Sequence, residues 1–217
     1  MEVVVDKIKS LLIERKLRPG DLIPSETVLA ENLKTSRGSI REAMKILSAY
    51  GIVEIRQGQG TFISTAANKK IFDPLLFKIL VSDYDYHELI EIRDIMERGV
   101  VKLVVANAGD SELEELNGIM DQMDDLHRSH DSDQERWDVL DIAYHRTMGR
   151  LAHNEIVHNM YEFIIELFAP TINARLGYHA HRALHLAIVA RDLDLAMERL
   201  TEHTRTWKNV HHHAHQE

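Results

Sequence analysis

The sequence predicts a mainly α protein in two parts: an N-terminal winged helix-turn-helix of three helices plus a β-hairpin, then a C-terminal all-α antiparallel bundle of six or seven helices. Three observations carry that expectation. Apolar residues recur at helical spacing along most of the chain, two short capped helices follow each other near the start, and a glycine-rich tip separates two short β-prone runs.

In the first part, Val4, Ile8, Leu11 and Leu12 mark a helix, and Arg18-Pro19-Gly20-Asp21 ends it, because proline lacks the N–H that a continuing helix needs. Pro24-Ser25 opens a second helix through Val28, Leu29, Ala30 and Leu33, and Thr35-Ser36 opens a third through Ile40, Ala43, Met44 and Leu47. In each, a serine hydroxyl can accept from the orphan N–H groups of the first turn. Ile52-Val53-Glu54-Ile55-Arg56 and Thr61-Phe62-Ile63-Ser64 flank Gln57-Gly58-Gln59-Gly60 and read as the hairpin. Residues 1–66 are therefore expected to form this unit, 67–75 a linker without a clear period, and 76–217 the helical domain.

The helical domain shows apolar stripes at Leu89, Ile92, Met96, Val100 and Leu103, at Leu113, Leu116, Met120 and Met123, and at Trp137, Leu140, Tyr144, Met148 and Leu151. Further stripes run through Ile156, Met160, Phe163, Ile164 and Leu167, through Leu184, Ala187 and Ile188, and through Ala196, Leu200 and Trp207. Helices of this kind bury their stripes against one another as a bundle. The terminal His211-His212-His213-Ala214-His215 reads as a frayed, solvated tail without a role.

Composition narrows the function classes. A chain of 217 residues with 44% hydrophobic and 28% charged content is neither disordered nor fibrous. No apolar run approaches the roughly 20 residues that span a bilayer, and the N-terminus lacks a signal-peptide pattern, so a cytoplasmic protein without a membrane partner is expected. The absence of cysteine excludes disulfides and thiolate metal sites, leaving any metal to the 14 histidines and the carboxylates. The net charge of −9 conceals an asymmetry: residues 1–67 carry 10 Lys/Arg against 8 Asp/Glu, and the remainder 16 against 27. Only a local basic face in the first third suits phosphate.

Such a face exists. Arg37, Arg41 and Lys45 stand at i, i+4 and i+8 on the third helix, opposite its apolar side. Arginine can donate bidentately to guanine O6 and N7, Ser36 and Ser39 can meet phosphate at the helix start, and the glycines of the hairpin tip allow close approach to a minor groove. The structural alternative is a solvated helix face.

The segments Leu17-Arg18-Pro19-Gly20-Asp21-Leu22-Ile23-Pro24-Ser25-Glu26, Leu29-Ala30-Glu31, Ser36-Arg37, Arg41-Glu42-Ala43, Gly51-Ile52-Val53-Glu54 and Gly58-Gln59-Gly60-Thr61-Phe62 resemble the DNA-binding domain of the GntR family of bacterial regulators. The resemblance covers about residues 3–64. It implies Arg37 and Arg41 as base readers, Ser36 and Ser39 as backbone contacts, and Gln57 and Gly58 as the wing tip. Two positions depart from the pattern: Thr27 stands where some fatty-acid-type members have an arginine, and Gly38 where threonine or serine is frequent.

In the helical part, Asp141 and His145 stand at i and i+4 within an apolar stripe, His203 falls in the stripe of Ala196, Leu200 and Trp207, and His181 lies one turn before Leu184. Buried groups of this kind need partners. Three imidazoles and a carboxylate from three helices suit a borderline divalent ion, zinc first, with nickel or manganese as alternatives. Each histidine taken singly is more often a satisfied core residue than a ligand. Periodicity alone does not choose between His181 and His185.

The segments Glu91-Ile92-Arg93, Asp141 to His145, His181-Arg182-Ala183 with Ala187-Ile188, and Asp192 to His203 resemble the effector-binding FCD domain of the FadR branch of that family. That resemblance implies Asp141, His145, His181 and His203 as metal ligands, with His179 and His185 as second choices. Arg93 also occupies an apolar stripe, where a guanidinium needs an anion: an internal carboxylate such as Glu91 or Glu97, or, as the resemblance implies, the carboxylate of a small effector. Arg146, Arg150, Asn154 and Arg175 are further effector candidates. The expected protein is a homodimeric repressor, not an enzyme, that binds double-stranded operator DNA under control of a sugar acid or hydroxy acid. The alternatives are a metal-dependent hydrolase-like domain fused to a DNA-binding module, which turnover would reveal, and a metal-free acyl-CoA sensor, which metal analysis would reveal.

Overall fold

The computed structural model of the protein describes residues 2–65, 75, 78, 79, 81, 82, 86–169 and 172–214, without the side chains of residues 86 and 206–214. The chain divides into two units, Met1–Val81 and Ser82–Glu217. Residues 67–74 of the expected linker lie outside the described residues.

In the first unit α1 spans Glu2–Ile13, α2 Glu26–Asn32 and α3 Arg37–Ala49. The turn after α1 is held by the Arg18 backbone N–H donating to the Asp21 carboxylate at 2.7 Å. Ser25 accepts from the Val28 N–H and Ser36 from the Ser39 N–H, the two caps expected of those serines. Val4 and Ile8 of α1, Leu29 of α2 and Ile40, Ala43, Met44 and Leu47 of α3 bury one apolar core with Val53 and Ile63 of the sheet.

The wing contains one strand more than the sequence suggests. β2 (Val53–Arg56) and β3 (Gly60–Ile63) form the hairpin, and β1 (Leu22–Ile23) adds to the other edge of β3, giving the order β1-β3-β2. All pairs are antiparallel, with Leu22 opposite Phe62 and Val53 opposite Ile63. Two residues are too short to show a period of two. Pairing with β3 is what makes them a strand, and it ties the turn after α1 to the wing.

The second unit contains, among the described residues, α4 (Tyr86–Asn107), α5 (Asp110–Arg128), α6 (Gln134–Leu151), α7 (Glu155–Phe168), α8 (Ala174–Val189) and α9 (Leu193–Ala214). Its core joins Val100, Val101 and Val104 of α4, Leu116, Met120 and Met123 of α5, Trp137, Tyr144 and Met148 of α6, Tyr161 of α7, Leu184 and Ile188 of α8, and Ala196 and Leu200 of α9. None of the described helices is long and apolar enough to cross a membrane.

Two of the expected stripes lie elsewhere in the structure. Ile92 is exposed, because the buried line of α4 passes through Arg93 and Glu97, and these charged positions disguise it. Ile156 and Met160 are also exposed, since α7 is apolar on most of its circumference and the buried line runs instead through Tyr161, Ile164, Ile165 and Phe168. In the histidine-rich end α9 continues through Ala214, and residues 215–217 lie outside the described residues.

Gly60 adopts φ +117°, and a Cβ there would lie 2.7 Å from the Leu22 side chain, whereas Gly58 at the tip has φ +74° and open space around it. Gly60→Ala is therefore expected to lower the stability of the first unit by about 1–3 kcal/mol, and Gly58→Ala by less, about 1 kcal/mol. Urea unfolding monitored by circular dichroism measures both, and equal losses would overturn the demand of the φ +117° backbone for glycine at position 60.

Candidate functional site

The interior of the second unit holds a cluster of charged and titratable side chains drawn from five helices. Arg93 and Glu97 come from α4, Asp141 and His145 from α6, Tyr161 from α7, His181 from α8 and His203 from α9, all of them buried. The i, i+4 spacings of Arg93 with Glu97 and of Asp141 with His145 put each pair on one helix face.

Glu97 lies at the centre. Its Oε1 accepts from Arg93 Nε at 2.8 Å and from the Tyr161 hydroxyl at 3.3 Å, and lies 3.5 Å from His145 Nδ1. Its Oε2 lies 3.4 Å from His203 Nδ1. Despite burial, which disfavours its charge, the Arg93 guanidinium and the neighbouring imidazoles hold the Glu97 carboxyl well below the usual carboxylate range. Phe168 lies under the Arg93 guanidinium, 5.2 Å from ring centre to carbon, in a cation-π contact.

The tautomer of His145 follows from its partners. Arg93 Nη2 carries only donors, so His145 Nε2, 3.3 Å away, is the acceptor, and His145 Nδ1–H donates to the Tyr161 hydroxyl at 2.7 Å. The Nε2 lone pair thus points into the space shared with His181, whose Nε2 is 2.9 Å distant. Asp141 Oδ1 lies 3.1 Å from His181 Nδ1, and Oδ2 lies 3.8 Å from His145 Nε2.

His145, His181 and His203 form a candidate metal site: one nitrogen of each lies within 4.8 Å of the others. Two nitrogens bound to one zinc at about 2.0–2.1 Å stand about 2.9–3.4 Å apart, which accommodates the His145–His181 separation. Both nitrogens of His203 and Oδ2 of Asp141 are buried without a hydrogen-bond partner among the described residues. The unprotonated nitrogen of His203 and Asp141 Oδ2 are orphaned acceptors that call for a cation or a proton, and the donor set fits a divalent ion.

His185, the competitor to His181, is buried one turn further along α8, with Nδ1 3.2 Å from the Tyr144 hydroxyl, and its described contacts do not include the triad. His179 packs beside His127 and Tyr178. The structure does not bring the secondary effector candidates to the cluster. Arg146 reaches Glu162 at 3.3 Å, Arg150 pairs with Glu115 at 2.5 Å, Asn154 caps α7 by accepting from the Ile156 and Val157 N–H groups, and Arg175 is exposed on the first turn of α8. Two surface grooves, between α5 and α6 and between α4 and α9, contain none of the cluster residues.

On the first unit, Arg37, Arg41 and Lys45 are exposed along one face of α3, opposite buried Ile40, Met44 and Leu47. Arg41 donates to Glu26 of α2 through Nε at 3.3 Å and Nη2 at 2.9 Å, and Lys45 pairs with Glu42 at 2.9 Å. Ser36 is engaged as the α3 cap, with its Oγ 3.0 Å from that of Ser39. Gln57 and Gly58 are exposed at the hairpin tip, and Arg56 behind them lies over Phe62 and pairs with Glu54.

Residues 1–63 match the model of the bacterial regulatory proteins of the gntR family, and residues 88–206 match that of the FCD domain. The chain belongs to the GntR family, in its FCD-containing branch. It is 29% identical to the HTH-type transcriptional regulator LutR of Bacillus subtilis, over 81% of this chain and 84% of that protein. It is 25% identical to the galactonate operon transcriptional repressor of Escherichia coli, over 89% of this chain and 88% of the relative. For the Glc operon transcriptional activator of the same species the identity is 24%, over 97% and 88%. A solved structure, Streptococcus agalactiae GntR, covers 94% of this chain and 96% of its own with a TM-score of 0.61 at 26% identity. This GntR-family protein is thus a DNA-binding transcriptional regulator and not an enzyme.

Burial also sets the proton balance of the metal-free regulator. It lowers His145 to about 3, His185 to about 4 and His181 well below the ordinary imidazole value, and raises Asp141 to about 7. Each imidazole stays neutral when folded but gains a proton below about pH 6.5 when unfolded, so its contribution is intact above that pH and lost as pH falls. Asp141 acts oppositely, its contribution being present below about pH 4 and lost as pH rises toward 7. Three imidazoles outweigh one carboxyl. Melting in the presence of a chelator should therefore shift to lower temperature between about pH 6.5 and pH 4, and a flat or rising melting temperature over that range would contradict neutral burial of the histidines.

Proposed function

We propose that this regulator is a homodimeric repressor whose affinity for a short two-fold operator is set by a small carboxylate, a sugar acid or hydroxy acid. In this reading residues 1–66 bind DNA, 67–75 link, and 76–217 bind the effector and dimerise. The observation that carries the effector half is the meeting of Arg93 with the histidine cluster: Nη2 is 3.3 Å from His145 Nε2, so one small acid can reach both. Asp141, His145, His181 and His203 would hold the metal, zinc by their donor types, with nickel or manganese fitting the same set. A divalent ion there supplies coordination positions for a carboxylate and an adjacent hydroxyl. Arg93 supplies the forked donor that orients the same acid. The relative named for the galactonate operon supports a sugar acid, and its description as a repressor supports that sign of control.

For the DNA half, Arg37 and Arg41 read base edges, Ser36, Ser39 and Lys45 meet the backbone, and Gln57 and Gly58 bring the wing to the groove. Dimerisation is supported by Ile92 and Ile95 on α4 and Ile156 and Met160 on α7, which are exposed on two helices that pack against each other. The effector acts by preferring one arrangement of the helices, so acid and operator affinities must change each other by the same factor.

Two measurements test this. In fluorescence anisotropy with the region upstream of the protein's own coding sequence, Arg41→Ala should weaken specific binding about 10- to 100-fold while sparing non-specific DNA, and Lys45→Ala should lower the salt slope by about one. Equal loss on both DNAs for Arg41→Ala would remove it as a base reader. In a thermal-shift panel of sugar acids and hydroxy acids, an effector at 100 times its Kd should add about 2.7 kcal/mol, and the gain should vanish after chelation and in Arg93→Lys, which keeps the charge beside Glu97. An acid that stabilises the chelated protein equally would overturn the metal-carboxylate site.

A further inference from the structure

Glu97 belongs to none of the ligand or effector positions above, yet it reaches four members of the cluster, Arg93, Tyr161, His145 and His203. From α4 it faces His145 on α6 and His203 on α9, in each case on the Nδ1 side of the ring, at 3.5 and 3.4 Å. The Tyr161 hydroxyl stands between, accepting from His145 Nδ1–H at 2.7 Å and donating to Glu97 Oε1 at 3.3 Å. The same Oε1 is the acceptor of Arg93 Nε.

We propose that Glu97 is the positioning carboxylate of this centre: it holds the Nδ1–H sides of His145 and His203, so that the Nε2 lone pairs of both rings converge on one divalent cation, while it neutralises Arg93. This rests on the metal reading above. The chemistry is that of an imidazole ligand whose second nitrogen donates to a carboxylate, which fixes tautomer and ring orientation and makes the ligating nitrogen more basic. His145 already shows the required tautomer, since Arg93 Nη2 can only donate to its Nε2. For His203, Glu97 Oε2 stands 3.4 Å from Nδ1 without a formed hydrogen bond, and neither ring nitrogen has a hydrogen-bond partner among the described residues, so Glu97 is the carboxylate nearest its Nδ1 side and Nε2 is left for the cation. His181 is oriented separately, with Asp141 Oδ1 3.1 Å from its Nδ1. One carboxylate therefore serves two ligands from two helices and also the guanidinium, so the metal ligands and the acid-binding arginine are set by the same group.

The test uses the full-length regulator. Zinc affinity is measured by competition with a chromophoric chelator for the wild type, Glu97→Gln and Glu97→Asp, with thermal melts to confirm folding. Nitrogen-15 spectra of the histidine rings are recorded on the zinc-loaded wild type. Glu97→Gln should weaken zinc about 10- to 100-fold, Glu97→Asp should recover part of the loss, and His145 and His203 should be protonated at Nδ1 and bound through Nε2. Unchanged affinity in Glu97→Gln, or Nδ1 coordination by either ring, overturns the proposal. An altered absorption spectrum of bound cobalt in Glu97→Gln also overturns it, because Glu97 would then be a ligand itself. Should Glu97→Gln fail to fold, the ring spectra of the wild type decide alone. A wild type that binds no zinc, cobalt, nickel or manganese defeats the metal reading itself, an outcome distinct from a metal-binding wild type with an indifferent Glu97→Gln.

Discussion

Burying a guanidinium, two carboxylates and three imidazoles among Tyr144, Tyr161 and Phe168 is the constraint on which the second unit depends. Taking such groups from water is expensive, and an ion pair of this kind contributes little compared with well-packed apolar residues. What it imposes is register. Each of α4, α6, α7, α8 and α9 supplies at least one member, so rotating or sliding any of these helices by a turn separates Glu97 from Arg93 or strands an imidazole. A buried charge left without its partner costs about 3–5 kcal/mol, a large share of the stability of an ordinary domain. The apolar contacts drive the helices together, and the polar cluster selects which faces meet.

On the proposed function, the same arrangement ties sensing to folding. Glu97 answers to Arg93, to Tyr161 and to two rings at once, so an acid arriving at Arg93 meets a charge already balanced from within the protein. The newcomer must improve on an existing arrangement and not simply fill an empty one. On the proposed function, such a site would respond to ligands that supply both a negative charge for the guanidinium and further oxygens for the cluster, which disfavours simple apolar acids. The first unit needs no comparable device, since its core is wholly aliphatic apart from Met44, and its polar residues stay outside.

Much of this was legible in the residues, for reasons that differ by element. Ser25 and Ser36 announced α2 and α3 because a cap is a local hydrogen bond, and the glycines of the hairpin announced the wing because a positive φ is a local demand. β1 was hidden, since a two-residue strand exists only through its partner β3. In the bundle, histidines inside apolar stripes were visible as anomalies, and the structure brings His145, His181 and His203 together. Periodicity does not choose between His181 and His185, because one turn separates them and both are buried; the resemblance pointed to His181, and the packing of α8 brings that ring to His145 and His203. Glu97 was visible only as a counter-ion for Arg93. Its i+4 position on the same face was the available signal, but its reach to His145 and His203 depends on α6 and α9 and has no trace along α4. The misplaced stripe at Ile92 has the same origin: a period built on hydrophobicity skips a buried line in which two positions are charged.

Two arginine–glutamate pairs, one in each unit, show how environment alone divides the labour. Arg41 and Glu26 are bonded at 2.9 Å on a surface where water and salt compete, so the pair contributes little and opens at little cost. In the proposed base contact, guanine O6 and N7 offer Arg41 the same forked geometry with about 1–3 kcal/mol of discrimination, which is enough to favour exchange on the correct sequence and not on others. Arg93 and Glu97 are bonded at 2.8 Å with side chains 9% and 2% exposed. There water is no substitute, and the guanidinium can change partner only for another anion that enters the same interior. The exposed pair thus suits a reader that samples many sequences quickly, and the buried pair suits a sensor that should answer to one class of ligand.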